Sequence, residues 1–152
     1  MRTLVLIIVS VIMILTASCT HNGGDIGLWG GTWHLERIYI NGVENITYTG
    51  NVFWKFQSDV IDMVETDDEM HERQDHYGTW TTSDNDKTLT IDFSHGSDRF
   101  PAGSADYIPP AITGLRGGIT QLEIEKLTGR NLVLRYDNDI TGNVITFELI
   151  KQ

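Results

Sequence analysis

A chain of 152 residues with 40% hydrophobic and 21% charged side chains holds one ordinary core and is too short for two large independent domains. Its 21 acids against 11 Lys and Arg give a formal charge of −10. Such a surface repels phosphate, which disfavours nucleic-acid binding and adhesion to anionic lipid through a basic patch.

The chain opens with Met1-Arg2 and an apolar run from Leu4 to Leu15. A greasy stretch that short behind a positive start reads as an export signal rather than a permanent membrane span. Directly after it comes LTASC, residues 15 to 19, with small Ala17 and Ser18 ahead of Cys19, the one cysteine of the sequence. Small side chains let the extended backbone enter a signal peptidase, and a thiol at the new terminus can take a diacylglycerol. The stretch resembles a bacterial lipobox, departing from it at Thr16, where Leu is usual. The resemblance implies a cleaved signal over 1–18 and a lipidated Cys19. Two or three acyl chains such as palmitate, at about 0.8 kcal/mol per buried methylene, hold a domain on a membrane without crossing it. Thr20 follows the cysteine where Asp would favour inner-membrane retention in Gram-negative lipoproteins. The expected address is therefore the outer membrane, on its periplasmic face because the tether THNGGDIG lacks a run of acids. Lipidation leaves the folded part without a thiol, so disulfides, thiol catalysis and thiolate metal ligation are not expected.

Past the Gly-rich tether of residues 19–28, apolar positions recur with period two. Leu89/Ile91/Phe93, Leu122/Ile124, Leu132/Leu134/Tyr136 and Ile145/Phe147/Leu149 each alternate with polar neighbours, which predicts strands with one wet face. Trp33–Ile40, Val52–Gln57, Val60–Val64 and Tyr77–Thr82 add further strands, rich in aromatic, β-branched and Thr residues. In the first of these the phase changes, because Trp33 and Leu35 share one side while Ile38 and Ile40 take the other, and a bulge is expected. Asn41-Gly42, Ser83 to Lys87, Thr128-Gly129 and Asn138 to Asn143 supply the turns. The sum is an all-β chain of about eight strands, an antiparallel up-and-down meander closed or nearly closed into a barrel.

The first strand begins Gly31-Thr32-Trp33. A Gly-x-Trp at that place, with eight strands and a lipobox before them, resembles the lipocalin-like domains of small Gram-negative lipoproteins. The resemblance covers residues 29–152 and implies that the glycine frees the backbone at a barrel floor that the tryptophan plugs. The same tripeptide returns as Gly78-Thr79-Trp80, 47 residues on, without further self-similarity. We read the pair not as a repeat but as two solutions to one need, a glycine where strands crowd and a ring that fills a small barrel.

Two stretches stand apart. Residues 65–76, ETDDEMHERQDH, carry six acids and two histidines. Their spacing matches neither a His-Glu-x-x-His helix nor an alternating calcium loop, so a charged hairpin loop is expected and no metal or other cofactor is assigned. Residues 94–118 hold all three prolines, five glycines and the apolar Phe100, Tyr107, Ile108, Ile112 and Leu115. That composition rules out a regular central strand and leaves a lid at the barrel mouth or a loosely packed crossover.

No Ser, His and acid fall into a nucleophile context and no glycine-rich turn suggests nucleotide binding, so an enzyme is not expected. Two readings remain. In one, a membrane-anchored barrel holds a small apolar or amphipathic ligand against Trp54, Phe56, Met63, Trp80, Phe93, Leu134, Tyr136 and Phe147. In the other, those side chains close-pack and the acidic loops bind an envelope protein as an inhibitor or assembly accessory. Interior packing discriminates between them.

Overall fold

The computed structural model describes residues 26–67, 69–83 and 85–152. The predicted export signal, Cys19 and tether residues 19–25 lie outside the described residues.

Nine strands run in chain order: β1 (Gly31–Ile40), β2 (Val43–Glu44), β3 (Val52–Gln57), β4 (Val60–Asp67), β5 (Glu72–Thr82), β6 (Thr88–Asp92), β7 (Ile119–Leu127), β8 (Asn131–Asp137) and β9 (Val144–Lys151). Their order in the sheet is β2-β1-β3-β4-β5-β6-β7-β8-β9, and β9 also pairs with β1. Every pairing is antiparallel. Two-residue β2 only extends the end of β1, so the other eight strands form a closed barrel. Closure removes the exposed edges that would otherwise template pairing with another chain.

All eight strands expected from the alternation are present, and the alternation sets their faces. In β3, β6 and β8 every second residue is buried, while the neighbours between them stay half-buried or exposed. β1 breaks the rule where the sequence does. Trp33, Leu35 and Ile38 are all buried, and the register against β9 slips between Leu35 and Arg37. Glu36 and Arg37 therefore face outward in succession, the mark of a bulge that bends the strand and restores the inward phase. Asn41 and Gly42 both take positive φ, 52° and 80°, as the tight β1–β2 reversal requires.

The charged segment differs from the expected loop. β4 continues to Asp67 and β5 begins at Glu72, with the pairs Glu65↔Gln74, Thr66↔Arg73 and Asp67↔Glu72 carrying the ladder nearly to the turn. Ladder hydrogen bonds join backbones, so charged side chains on an exposed rim do not oppose them.

The two ends of the barrel are built differently. At the floor, a 3₁₀ turn (Gly27–Trp29) tucks Trp29 under the strands. Its ring lies 4.9 Å from Phe56 and 5.4 Å from Trp80, which are themselves 5.0 Å apart. Trp33 donates its indole N–H to the Trp29 carbonyl at 2.9 Å, and Lys151 sits over the Trp33 ring while its ammonium donates to the Leu28 carbonyl. At the opposite end lie the β1–β2 turn, the β4–β5 turn, the β8–β9 loop and the long β6–β7 connection.

Candidate functional site

The β6–β7 connection closes that second end. Phe93 N–H bonds to the Gly118 carbonyl at 2.9 Å, pinching the base of the excursion. The chain then crosses to β5, where a 3₁₀ turn (Ala105–Tyr107) receives a hydrogen bond from Gln74 to Asp106 and sets Tyr107 beside Tyr77. From there it passes Pro109 and Pro110, both buried, into a second 3₁₀ turn (Ala111–Thr113). Thr113 is fully buried, its hydroxyl donating to the Pro110 carbonyl and accepting from Leu115 N–H. Leu115 joins the core, with Ile112 packed against it. The far side is tied by Asn138 donating to the Gly114 carbonyl and by Arg116 pairing with Asp139 at 3.1 Å. A Cβ on Gly114 would come within 2.8 Å of Ile145 on β9. In a ring of eight strands β5 and β9 stand opposite each other, so the strap spans the mouth from wall to wall. The two prolines suit it: they fix φ and need no ladder partner.

Beneath the strap, the eight side chains expected to face inward are all buried and belong to one cluster. Phe56 and Trp80 are part of the floor. Trp54 meets Phe147 mid-barrel at 5.5 Å. Met63 and Leu134 have no exposed surface, Phe93 lies at the strap's root, and Tyr136 stands near the mouth. The concavities beside them are lined from the rim or the outer wall. One groove of about 660 Å³ follows the rim past Asn51, Phe53, Glu65, Asp67, Glu72 and Arg73, and another of about 420 Å³ lies between Arg116 and Arg135. Neither touches Trp54, Met63, Leu134 or Phe147. In this conformation Trp54, Met63, Leu134 and Phe147 are packed together in the buried cluster, while the second groove reaches Tyr136.

The interior is not wholly apolar. Trp54 Nε1, Trp80 Nε1, Thr120 Oγ1, Tyr136 OH and His76 Nε2 are buried without a hydrogen-bond partner. Each such group costs about 1–3 kcal/mol when left unpaired. Burial pushes the Tyr136 phenol above its usual range, so it stays a neutral O–H that can donate or accept at neutral pH. His76 falls within the stretch whose charges predict a loop. It faces inward because β5 starts five residues earlier than expected, which puts His76, Gly78 and Trp80 on one side of the strand. The signal was available as an i, i+2, i+4 spacing, masked by the acids around it. Thr120 was missed for a similar reason, since the expected β7 began only at Leu122.

Residues 13–141 match the model of the lipocalin-like domain family. The chain belongs to that family. The fold of this lipocalin-like domain is shared by a lipocalin-like protein from Bacteroides uniformis, with a TM-score of 0.56 and 18% identity over 80% of this chain and 97% of that one. An uncharacterized protein from Bacteroides eggerthii gives a TM-score of 0.59 and 17% identity over 82% and 99%. Among curated proteins none matches the domain.

Proposed function

We propose that this lipocalin-like domain is a non-enzymatic carrier that admits a small apolar or amphipathic molecule at the strapped end of its barrel. It is held by a lipid at Cys19 on the periplasmic face of the outer membrane. The observation that carries the reading is the set of inward polar atoms without a protein partner, His76 Nε2, Trp54 Nε1, Thr120 Oγ1 and Tyr136 OH, in an otherwise apolar wall. Ligand sites are built this way, with a mostly apolar lining and a few convergent polar groups that fix orientation. Small barrels of eight strands have room for one small ligand or for side chains alone. Here the strap supplies part of the filling, through Thr113 and Leu115, so its displacement makes room for a guest.

One observation favours a second reading. The inward rings touch each other and the grooves lie outside the barrel, as expected of a solid core whose acidic rim docks an envelope protein.

Native mass spectrometry of the full chain taken from cells separates the two. A carrier shows an added small-molecule mass and binds an environment-sensitive apolar probe at about micromolar affinity. Shortening the strap between Gly96 and Gly103 should leave the fold intact and speed probe release. A bare polypeptide mass, joined to absent probe binding, sinks the carrier and supports the docking module.

A further inference from the structure

His76 and Glu65 set two hydrogen-bond acceptors side by side below the strap. The His76 ring is nine-tenths buried on the inward face of β5, and its Nδ1 lies 2.6 Å from the Ile108 carbonyl. A carbonyl only accepts, so Nδ1 carries a proton, and in the tautomer this selects Nε2 is the nitrogen left with a lone pair. That nitrogen has no hydrogen-bond partner. Glu65 Oε2 lies 3.8 Å from it, beyond hydrogen-bonding distance and itself an acceptor. The ladder row Trp54↔Met63↔His76 places apolar Met63 next to this pair, and Val52 stands opposite Glu65. Both Met63 and Val52 are fully buried. Around the pair the rim is acidic, with Asp67, Glu69 and Glu72 lining the adjoining groove. Two of the cations at this end are already paired with acids, Arg73 with Asp75 and Arg116 with Asp139.

We propose that the guest's polar end is an amine on an apolar tail, held between His76 Nε2 and Glu65 Oε2 with the tail against Met63 and Val52. One amine nitrogen can donate to both at roughly 2.8 Å, whereas a hydroxyl has a single proton and satisfies only one of them. A carboxylate or phosphate would bring a third acceptor into a site that offers two and would face the acidic rim. The assignment rests on the carrier reading and narrows it to a ligand class.

The test is calorimetric titration of the full chain with hexylamine, 1-hexanol and hexanoate at neutral pH. Hexylamine is expected to bind at least about tenfold tighter than hexanoate, with 1-hexanol, which can donate to only one of the two acceptors, between them. Glu65→Gln, at a partly exposed position, should bring that ratio to about one, whereas Glu72→Gln removes the same charge from the rim and should change it less than about twofold. Hexanoate binding as tightly as hexylamine overturns the donor assignment and leaves the carrier intact. So does a ratio that Glu65→Gln does not move, or that Glu72→Gln moves as far. Failure of all three probes to bind the folded protein removes the carrier reading and the assignment with it.

Discussion

Gly31 and Gly78 open the two Gly-Thr-Trp copies for different physical reasons. Gly31 has φ +107°, a conformation that side-chain-bearing residues rarely adopt, and it starts β1 where the chain leaves the floor turn. Gly78 has ordinary strand geometry but no room. A Cβ there would lie 2.9 Å from the Asp92 carbonyl oxygen and 3.2 Å from the Phe93 ring, inside the barrel. Gly78→Ala should therefore destabilise by about 1–3 kcal/mol, read as a lower urea midpoint with an unchanged slope. Adding Phe93→Leu should recover only part of the loss, because the backbone contact with Asp92 remains. A neutral Gly78→Ala would refute the crowding argument. The two tryptophans differ as well: Trp33 is satisfied by the Trp29 carbonyl, while Trp80 is buried with its indole N–H unpaired.

Elements carry consequences that single residues do not. β1 pairs with β3 only from Gly31 to His34, and above the bulge it turns toward β2 instead. The seam left between β1 and β3 is closed by the segment after β2. There Tyr48 donates its hydroxyl to the Leu35 carbonyl at 2.5 Å and accepts from Val52 N–H at 3.2 Å. Burial pushes the Tyr48 phenol up to about 12. The folded state then holds this proton more tightly than the unfolded chain, whose phenol titrates near 10. Tyr48 should thus cost stability progressively as pH rises from about 10 toward 12, and contribute no pH dependence below that window. Burial raises Tyr77 and Tyr136 in the same direction, so they add to the same alkaline limb. Alkaline unfolding followed together with phenolate absorbance checks this. Tyr48→Phe should flatten the limb while lowering stability at neutral pH, since it leaves the Val52 N–H and the Leu35 carbonyl without their partner. An unchanged alkaline slope in that variant would show that Tyr48 is not the seam's titrating group.

For the whole molecule, a formal charge of −10 disfavours adhesion to anionic lipid through a basic patch. Among the described residues no helix is long and apolar enough to cross a membrane. Loss of Arg2 with the export signal would deepen the formal charge from −10 to −11. The proposed attachment would depend on acyl chains, which bind through buried methylenes irrespective of surface charge. Cys19→Ala, expressed in a Gram-negative host, is expected to abolish partitioning into the detergent phase while the domain still folds. Undiminished partitioning would refute the lipid anchor.

The alternation of Leu89/Ile91/Phe93 or Leu132/Leu134/Tyr136 was readable because a strand's two faces are set by residues two apart, a local rule. The phase change after Leu35 announced the bulge on the same ground, and the eight inward side chains were legible as the inward phase of their strands. Local patterning thus dictated the eight barrel strands and their faces, the turn at Asn41-Gly42 and the glycine-tryptophan pairs that fit a small barrel, but not β2 or the reach of β4 and β5 into the charged stretch. It left the strap's path and the aim of His76 undecided. Both depend on contacts far apart in the chain, His76 with Ile108 and Asn138 with Gly114, whose formation rests on closure bringing β5 and β9 to opposite walls. Composition marks a segment such as residues 94–118 as unable to be a strand, but the wall it crosses to is chosen by which buried polar groups and apolar gaps the closed barrel leaves for it to fill. Only the tertiary structure contains that choice.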